Sequence, residues 1–157
     1  DPMDRYTRRF LSKLAADFGF KPLFPFDGPP YHPVQKWALK CGGFSQSPFG
    51  LLTHTTYGPW AGLRAAFLSA DELDTSTGED TPGPCISCQD NPCLTACPVN
   101  AIQLDTGYNV PHCLEYLRRT PDAGCWTGCR ARKACPVGQD HAPSPTNGRF
   151  HMKSFVG

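Results

Sequence analysis

Eight cysteines between residues 85 and 135 fall into two runs: Cys85-x2-Cys88-x4-Cys93-x3-Cys97-Pro98, then Cys113-x11-Cys125-x3-Cys129-x5-Cys135-Pro136. Each run closes on Cys-Pro-Val. Thiols at this density bind metal, form disulfides or carry redox chemistry. The first run is close to the bacterial iron–sulfur spacing C-x2-C-x2-C-x3-C-P, with two extra residues, Asn91-Pro92, before the third cysteine. A cubane cluster takes thiolates at alternate corners, so a tight loop supplies three and the fourth arrives from elsewhere. In two-cluster ferredoxins the fourth cysteine of such a run serves the other cluster. Applied here, that logic gives one [4Fe–4S] cluster to Cys85, Cys88, Cys93 and Cys135, and a second to Cys97, Cys113, Cys125 and Cys129. Backbone amides in C-x2-C turns point at the sulfurs and help set the potential. Proline after the closing cysteine cannot continue a hydrogen-bond ladder and fixes the chain's exit.

Two zinc sites would also use eight thiolates. Zinc ribbons, however, pair one C-x2-C knuckle with another, and only Cys85/Cys88 has that spacing here. A total of nine cysteines is odd, which argues against a fully paired disulfide framework. The opening residues, DPMDRYTRRF, lack the apolar core of a secretory signal. The expected compartment is therefore the reducing cytoplasm, where clustered cysteines bind metal or do redox chemistry. The ninth, Cys41 beside Gly42-Gly43, reads as a small buried apolar residue.

The elements that must position these thiols are short. At 157 residues the chain is one ordinary domain or two small ones. Its formal charge of +1, with scattered Lys and Arg, excludes a strong field for nucleic acid. No apolar run reaches the ~20 residues of a membrane-spanning helix. The acidic, Thr/Gly/Pro-rich stretch SADELDTSTGEDTPGP reads as a linker. It divides the chain into residues 1–80, with Cys41 alone, and residues 81–157, with the other eight.

In the first part, Asp1, Pro2 and Asp4 mark a helix start, and Gly19 a stop. Tyr6, Phe10, Leu11, Leu14, Ala15 and Phe18 fall on its expected buried face. KPLFPF suggests a short strand and VQKWALKCGG a helix after Pro33. FGLLTHTTYGPWAGLRAAFLSA suggests two strands about a turn at Gly58-Pro59, the second from Trp60 to Leu68, although that stretch is also Ala-rich enough for a helix and its periodicity does not decide between them. In the second part, helices are expected from Pro111 and around Arg130 to Ala134, and the tail HAPSPTNGRFHMKSF reads as a polar segment wrapped over the surface. No packed apolar core is evident in this part, so something besides hydrophobic burial must hold it together. The fold class is α+β.

The succession CISCQDNPCLTACPVNAI, HCLEYL and GCWTGCRARKACP resembles the C-terminal iron–sulfur domain of epoxyqueuosine reductase, which corrinoid-dependent reductive dehalogenases also carry in related form. That resemblance implies a bacterial dicluster ferredoxin-like domain and the same four-and-four division. Asn91-Pro92 departs from the pattern and lengthens one cluster loop. DPMDR, HPVQKWALKCGG and SPFGLLTHTTYGPWAGLRAAFL are similar to a reduced cobalamin-binding, nitroreductase-like α/β domain. On that likeness, Met3 behind Asp1-Pro2 fits a chain that is the later part of a longer protein. His54, Tyr57 and Trp60 would then lie in a corrinoid pocket, where a strand ends in His before a Gly-aromatic turn.

The expected function is electron transfer through two [4Fe–4S] clusters to a redox partner protein. The alternative is a corrinoid (cobalamin)-dependent reductase fed by the same clusters, although about 80 residues cannot enclose both corrinoid and substrate. Tyr108, Tyr116 and Trp126 are candidates to shield the clusters. Arg118, Arg119, Arg130, Arg132 and Lys133 form the one basic concentration, suited to an acidic partner or a solvated helix face. His32, His141 and His151 read as surface or capping residues.

Overall fold

The computed structural model describes residues 1–73 and 81–157. It is α+β, with short helices and three separate two-stranded antiparallel sheets. In chain order the elements are α1 (Pro2–Asp17), β1 (Lys21–Leu23), α2 (Val34–Lys40), β2 (Phe44–Gln46), β3 (Leu52–His54) and β4 (Ala66–Leu68). They continue with α3 (Pro92–Thr95), β5 (Ile102–Gln103), β6 (Gly107–Tyr108), α4 (Val110–Arg119), α5 (Arg130–Lys133) and α6 (Pro145–Val156). Short 3₁₀ turns cover Gly124–Thr127 and Gln139–His141. Among the described residues no helix is long and apolar enough to cross a membrane.

The chain forms two compact units, Asp1–Gly42 with Gly62–Asp80, and Gly43–Ala61 with Thr81–Gly157. The expected division near residue 80 therefore needs correction, because residues 43–61 pack with the cysteine-bearing part. The reason lies in backbone contact. A Cβ on Gly83 would overlap the Phe44–Ser45 backbone of β2. A Cβ on Gly58 would overlap the Val137 carbonyl, and one on Gly138 would overlap Tyr57. Only glycine allows approaches this close.

In the first unit, Asp1 caps α1 by accepting the Met3 amide at 2.7 Å and the Asp4 amide at 3.2 Å. The buried residues of α1 are Thr7 and Ala15, whereas Tyr6, Phe10 and Phe18 are 55%, 55% and 66% exposed. The expected apolar face is thus packed only in part: Ala15 is buried and Leu11 and Leu14 half-buried, whereas Tyr6, Phe10 and Phe18 stay exposed. Arg64 explains the difference, since it donates to Thr7 Oγ1 at 3.2 and 3.0 Å and to Asp4 at 2.7 Å, fixing the side of α1 that turns inward. β1 pairs with β4, Pro22 opposite Phe67. A two-stranded ladder tolerates this proline because one side of each strand is free. The strand expected from Trp60 to Leu68 is accordingly only Ala66–Leu68, and its partner is β1.

In the second unit, β2 pairs with β3, and Ser45 faces Thr53. His54 and Gly58 then exchange two backbone hydrogen bonds of 2.9 Å each, closing the turn. Two small apolar clusters make the core: Phe49, Cys93, Ile102 and Ala131 in one, Leu117, Ala123 and Cys125 in the other. Each includes a cysteine, so the thiol-bearing loops themselves occupy the interior. α4 begins at its Asn109 cap, which accepts the His112 amide at 3.0 Å. The tail, read as an irregular surface segment, is instead helix α6. Ser144 caps it by accepting the Asn147 amide at 3.3 Å, and Pro145 takes the first turn, where a missing N–H costs nothing.

Candidate functional site

Cys85, Cys88, Cys93 and Cys135 line one cavity of about 190 Å³. Cys97, Cys113, Cys125 and Cys129 line another of about 360 Å³. Phe49 lines both. Among the described residues, no three His, Cys, Asp or Glu side chains converge tightly enough to hold one metal ion. Cys41 joins neither set. It is exposed at the end of α2, which corrects the expectation that it is buried.

Local backbone placement follows from the sequence around each thiol. Asn91, in the left-handed region at φ 39°, and Pro92 start α3, which carries Cys93. The Asn91-Pro92 insertion is thus the start of the helix that presents the third thiol of the first set. Asparagine suits a left-handed position because its short polar side chain bonds locally. Ser45 Oγ accepts the Cys85 amide at 3.0 Å, tying the first thiol to β2 across 40 residues. Cys113 rides on α4, Cys125 on the turn Gly124–Thr127, and Cys129 caps α5.

Hydrogen-bond donors meet the sulfurs. The Ala101 amide donates to Cys97 Sγ at 3.3 Å. The Ala131 and Arg132 amides lie near enough to Cys129, the Val137 amide to Cys135 and the Tyr108 hydroxyl to Cys113 to draw those thiols' pKa down. Each favours the thiolate. Burial opposes it more strongly and pushes the Cys93, Cys113, Cys129 and Cys135 thiols above the ordinary value. Neighbouring thiols of the same set push in the same direction, Cys85, Cys88 and Cys135 on Cys93, and Cys125 and Cys113 on Cys129. Burial likewise raises Tyr108, with its bond to Cys113 next. Four thiols around a low-dielectric cavity ionise together only when positive charge sits among them.

His54, Tyr57 and Trp60 sit on the turn packed against the Val137–Gly138 loop that follows Cys135. His54 Nδ1 accepts the Thr56 and Tyr57 amides at 3.1 and 3.3 Å. Its ring lies between Phe44 at 4.7 Å and Tyr57 at 5.1 Å, and Tyr57 meets His141 edge-on. Arg132 spreads over Trp60 at 4.6 Å and donates to the Pro59 carbonyl from Nε at 2.9 Å and Nη2 at 2.5 Å. Burial lowers the Arg132 pKa. Of the three residues expected in a corrinoid pocket, Tyr57 meets the loop behind Cys135, His54 braces its own hairpin turn and Trp60 lies under Arg132 of α5.

Tyr108 and Tyr116 line the second cavity. Trp126 instead donates to the Thr120 carbonyl at 2.9 Å and packs on the Leu117 cluster. Of the basic concentration, Arg118 donates to Val156 O, Arg119 pairs with Glu115 at 2.9 Å, and Lys133 donates to Thr127 Oγ1 at 3.2 Å. Most of that charge is spent within the unit. His141 and His151 are exposed, and His32 lies against Trp37.

Sequence reasoning missed Ser45 and Thr53, the hydroxyls of the β2–β3 hairpin, and the cover that α6 gives the second cavity through His151, Met152 and Phe155. No local pattern marks a serine that must bond a cysteine amide 40 residues away. A signal for α6 was present in Ser144-Pro145, a cap followed by proline at the first helical position. Comparison of this chain with protein-family models, curated proteins and solved structures finds no match.

Proposed function

We propose that this chain carries electrons through two [4Fe–4S] clusters. Cys85, Cys88, Cys93 and Cys135 would hold one, and Cys97, Cys113, Cys125 and Cys129 the other. The observation that carries this reading is the gathering of eight thiols into two sets of four, each around its own cavity, within one compact unit. A zinc ion requires four ligand sulfurs about 2.3 Å from a single point. Four thiols lining one cavity are the donor set that a cubane cluster takes. The amide and hydroxyl donors aimed at Cys97, Cys113, Cys129 and Cys135 are the contacts that tune iron–sulfur potentials. When bound, each cluster would supply one-electron chemistry.

The chain's own residues would ligate, exclude water and bias the charge. Ser45 holds the Cys85 loop, the His54–Trp60 turn backs the Cys135 loop, and α6 closes over the second set. The electron donor and acceptor would be redox partner proteins in a reducing, cytoplasmic compartment. The dicluster ferredoxin-like part of epoxyqueuosine reductase remains the proposed likeness for this unit. His54, Tyr57 and Trp60 make contacts within their own unit, and no specific observation favours the corrinoid-linked alternative.

Anaerobic reconstitution with ferrous iron and sulfide tests the proposal. The expected product is brown, shows cubane EPR signals on reduction, and contains iron and acid-labile sulfide for two cubanes per chain. A colourless protein that takes up two zinc ions in preference to iron and sulfide would overturn it.

A further inference from the structure

Ser45 and Thr53 are direct cross-strand neighbours on β2 and β3, so their side chains share one face of the hairpin. The Ser45 bond to the Cys85 amide turns that face toward the first thiol set. Thr53 lines the cavity of Cys85, Cys88, Cys93 and Cys135. It is 0% exposed, and its Oγ1 has no hydrogen-bond partner among the described residues. Buried hydroxyls almost always have a partner, and an unmade bond is costly. A buried strand position in a lining shared with Pro48 and Phe49 would ordinarily take valine, which has the same shape and no such penalty. The other polar side chains of the lining already bond backbone carbonyls, Ser87 that of Pro84 and Asn91 that of Gln89. What Thr53 addresses is therefore whatever the cavity holds.

We propose that Thr53 donates its hydroxyl hydrogen bond to a sulfur of the first cluster and holds that cluster's reduction potential up. This rests on the cluster reading above. Sulfur in a cubane is an acceptor and carries more negative charge after reduction, so a fixed donor favours the reduced state. Removing the donor lowers the potential, and keeping a hydroxyl at the same place preserves it.

The test is an EPR-monitored redox titration of the reconstituted full chain and of Thr53→Val and Thr53→Ser. Dithionite supplies the electrons through mediators, and no bond forms or breaks. In Thr53→Val, one of the two reduction waves should move to lower potential while the other stays. A tenfold change in that one-electron equilibrium is about 59 mV. Thr53→Ser should stay near the parent chain. The metal-free Thr53→Val protein should melt no lower than the parent, because the hydroxyl it loses has no partner there. With both clusters present, two unmoved waves, or two that move together, overturn the Thr53 proposal alone. Failure of the parent chain to take up clusters overturns the cluster reading, and this proposal with it.

Discussion

Gly148→Ala in α6 sets two effects of opposite sign against each other. In an unpacked helix interior the change stabilises by about 1 kcal/mol, because alanine loses less backbone entropy. Gly148, however, is buried against the turn Gly124–Thr127. A Cβ there would overlap the Thr127 carbonyl oxygen and lie 2.7 Å from its carbon and 3.2 Å from the Gly128 nitrogen. Those atoms are backbone in the loop that carries Cys125 and leads to Cys129, so no rotamer change relieves the overlap. Helix α6 must lift, drawing Met152 and Val156 off Leu117, Ala123 and Cys125. Overpacking of this kind costs about 1–3 kcal/mol, and the close backbone contact argues for the upper half of that range. After the propensity gain, the expected net loss is about 1–2 kcal/mol, which for a chain of this size lowers Tm by about 3–8 °C. Because His151, Met152 and Phe155 line the second cavity, the reconstituted variant should also bleach one cluster faster in air. Circular-dichroism melts of the metal-free chain and the EPR of the air-exposed protein measure the two effects. A variant that melts at or above the parent temperature refutes the packing reasoning, and equal acceleration of both clusters refutes the role of α6 as a cover for one.

Cross-ligation predicts that Cys135→Ser removes the same EPR signal as Cys85→Ser, and that Cys97→Ser removes the one lost in Cys129→Ser. Signal loss that instead follows the order of the two sequence runs would contradict the assignment. In the metal-free chain, burial first and neighbouring thiols next raise Cys93, Cys113, Cys129 and Cys135. The folded state therefore keeps protons that the unfolded state releases, and stability falls as pH rises. This contribution is fully present below the unfolded thiol value of about 8.5 and is lost as pH climbs through the raised folded values. Denaturant midpoints of the metal-free protein should decline above that point; a midpoint that rises there would show the sign to be wrong.

Much of the local structure was legible because the chain states it locally. Asp1-Pro2 announces α1, whose cap forms as expected, and Pro111 marks the first turn of α4. The cysteine spacing separates the thiols into the two sets that the cavities bring together. Illegible features depend on partners far along the chain. Of the apolar face expected on α1, Leu11, Leu14 and Ala15 pack but Tyr6, Phe10 and Phe18 do not, because Arg64, 57 residues beyond Thr7, draws the Asp4–Thr7 side inward. The β2–β3 hairpin was read with the first part because nothing within it speaks of cysteines. Its attachment comes from absent side chains at Gly58, Gly83 and Gly138, and a glycine does not say which backbone it admits.

That attachment matters because the apolar core of the second unit is small. Phe49 is 7% exposed, packs in the same cluster as Cys93, and forms part of the wall of both thiol cavities. Pro48, Phe49 and Thr53 from the hairpin close the first cavity, and Phe49 with Leu51 contributes to the second. The hairpin thus supplies apolar surface that the cysteine loops, built mostly of turns, cannot supply for themselves. Excluding water there lowers the local dielectric, which makes each surviving polar contact electrostatically stronger. A few donors, the Ala101 amide on Cys97, the Tyr108 hydroxyl on Cys113 and the unpartnered hydroxyl of Thr53, then carry disproportionate influence over charge in the two cavities. Under the proposed ligation, Phe49, in the wall of both cavities, would border both clusters.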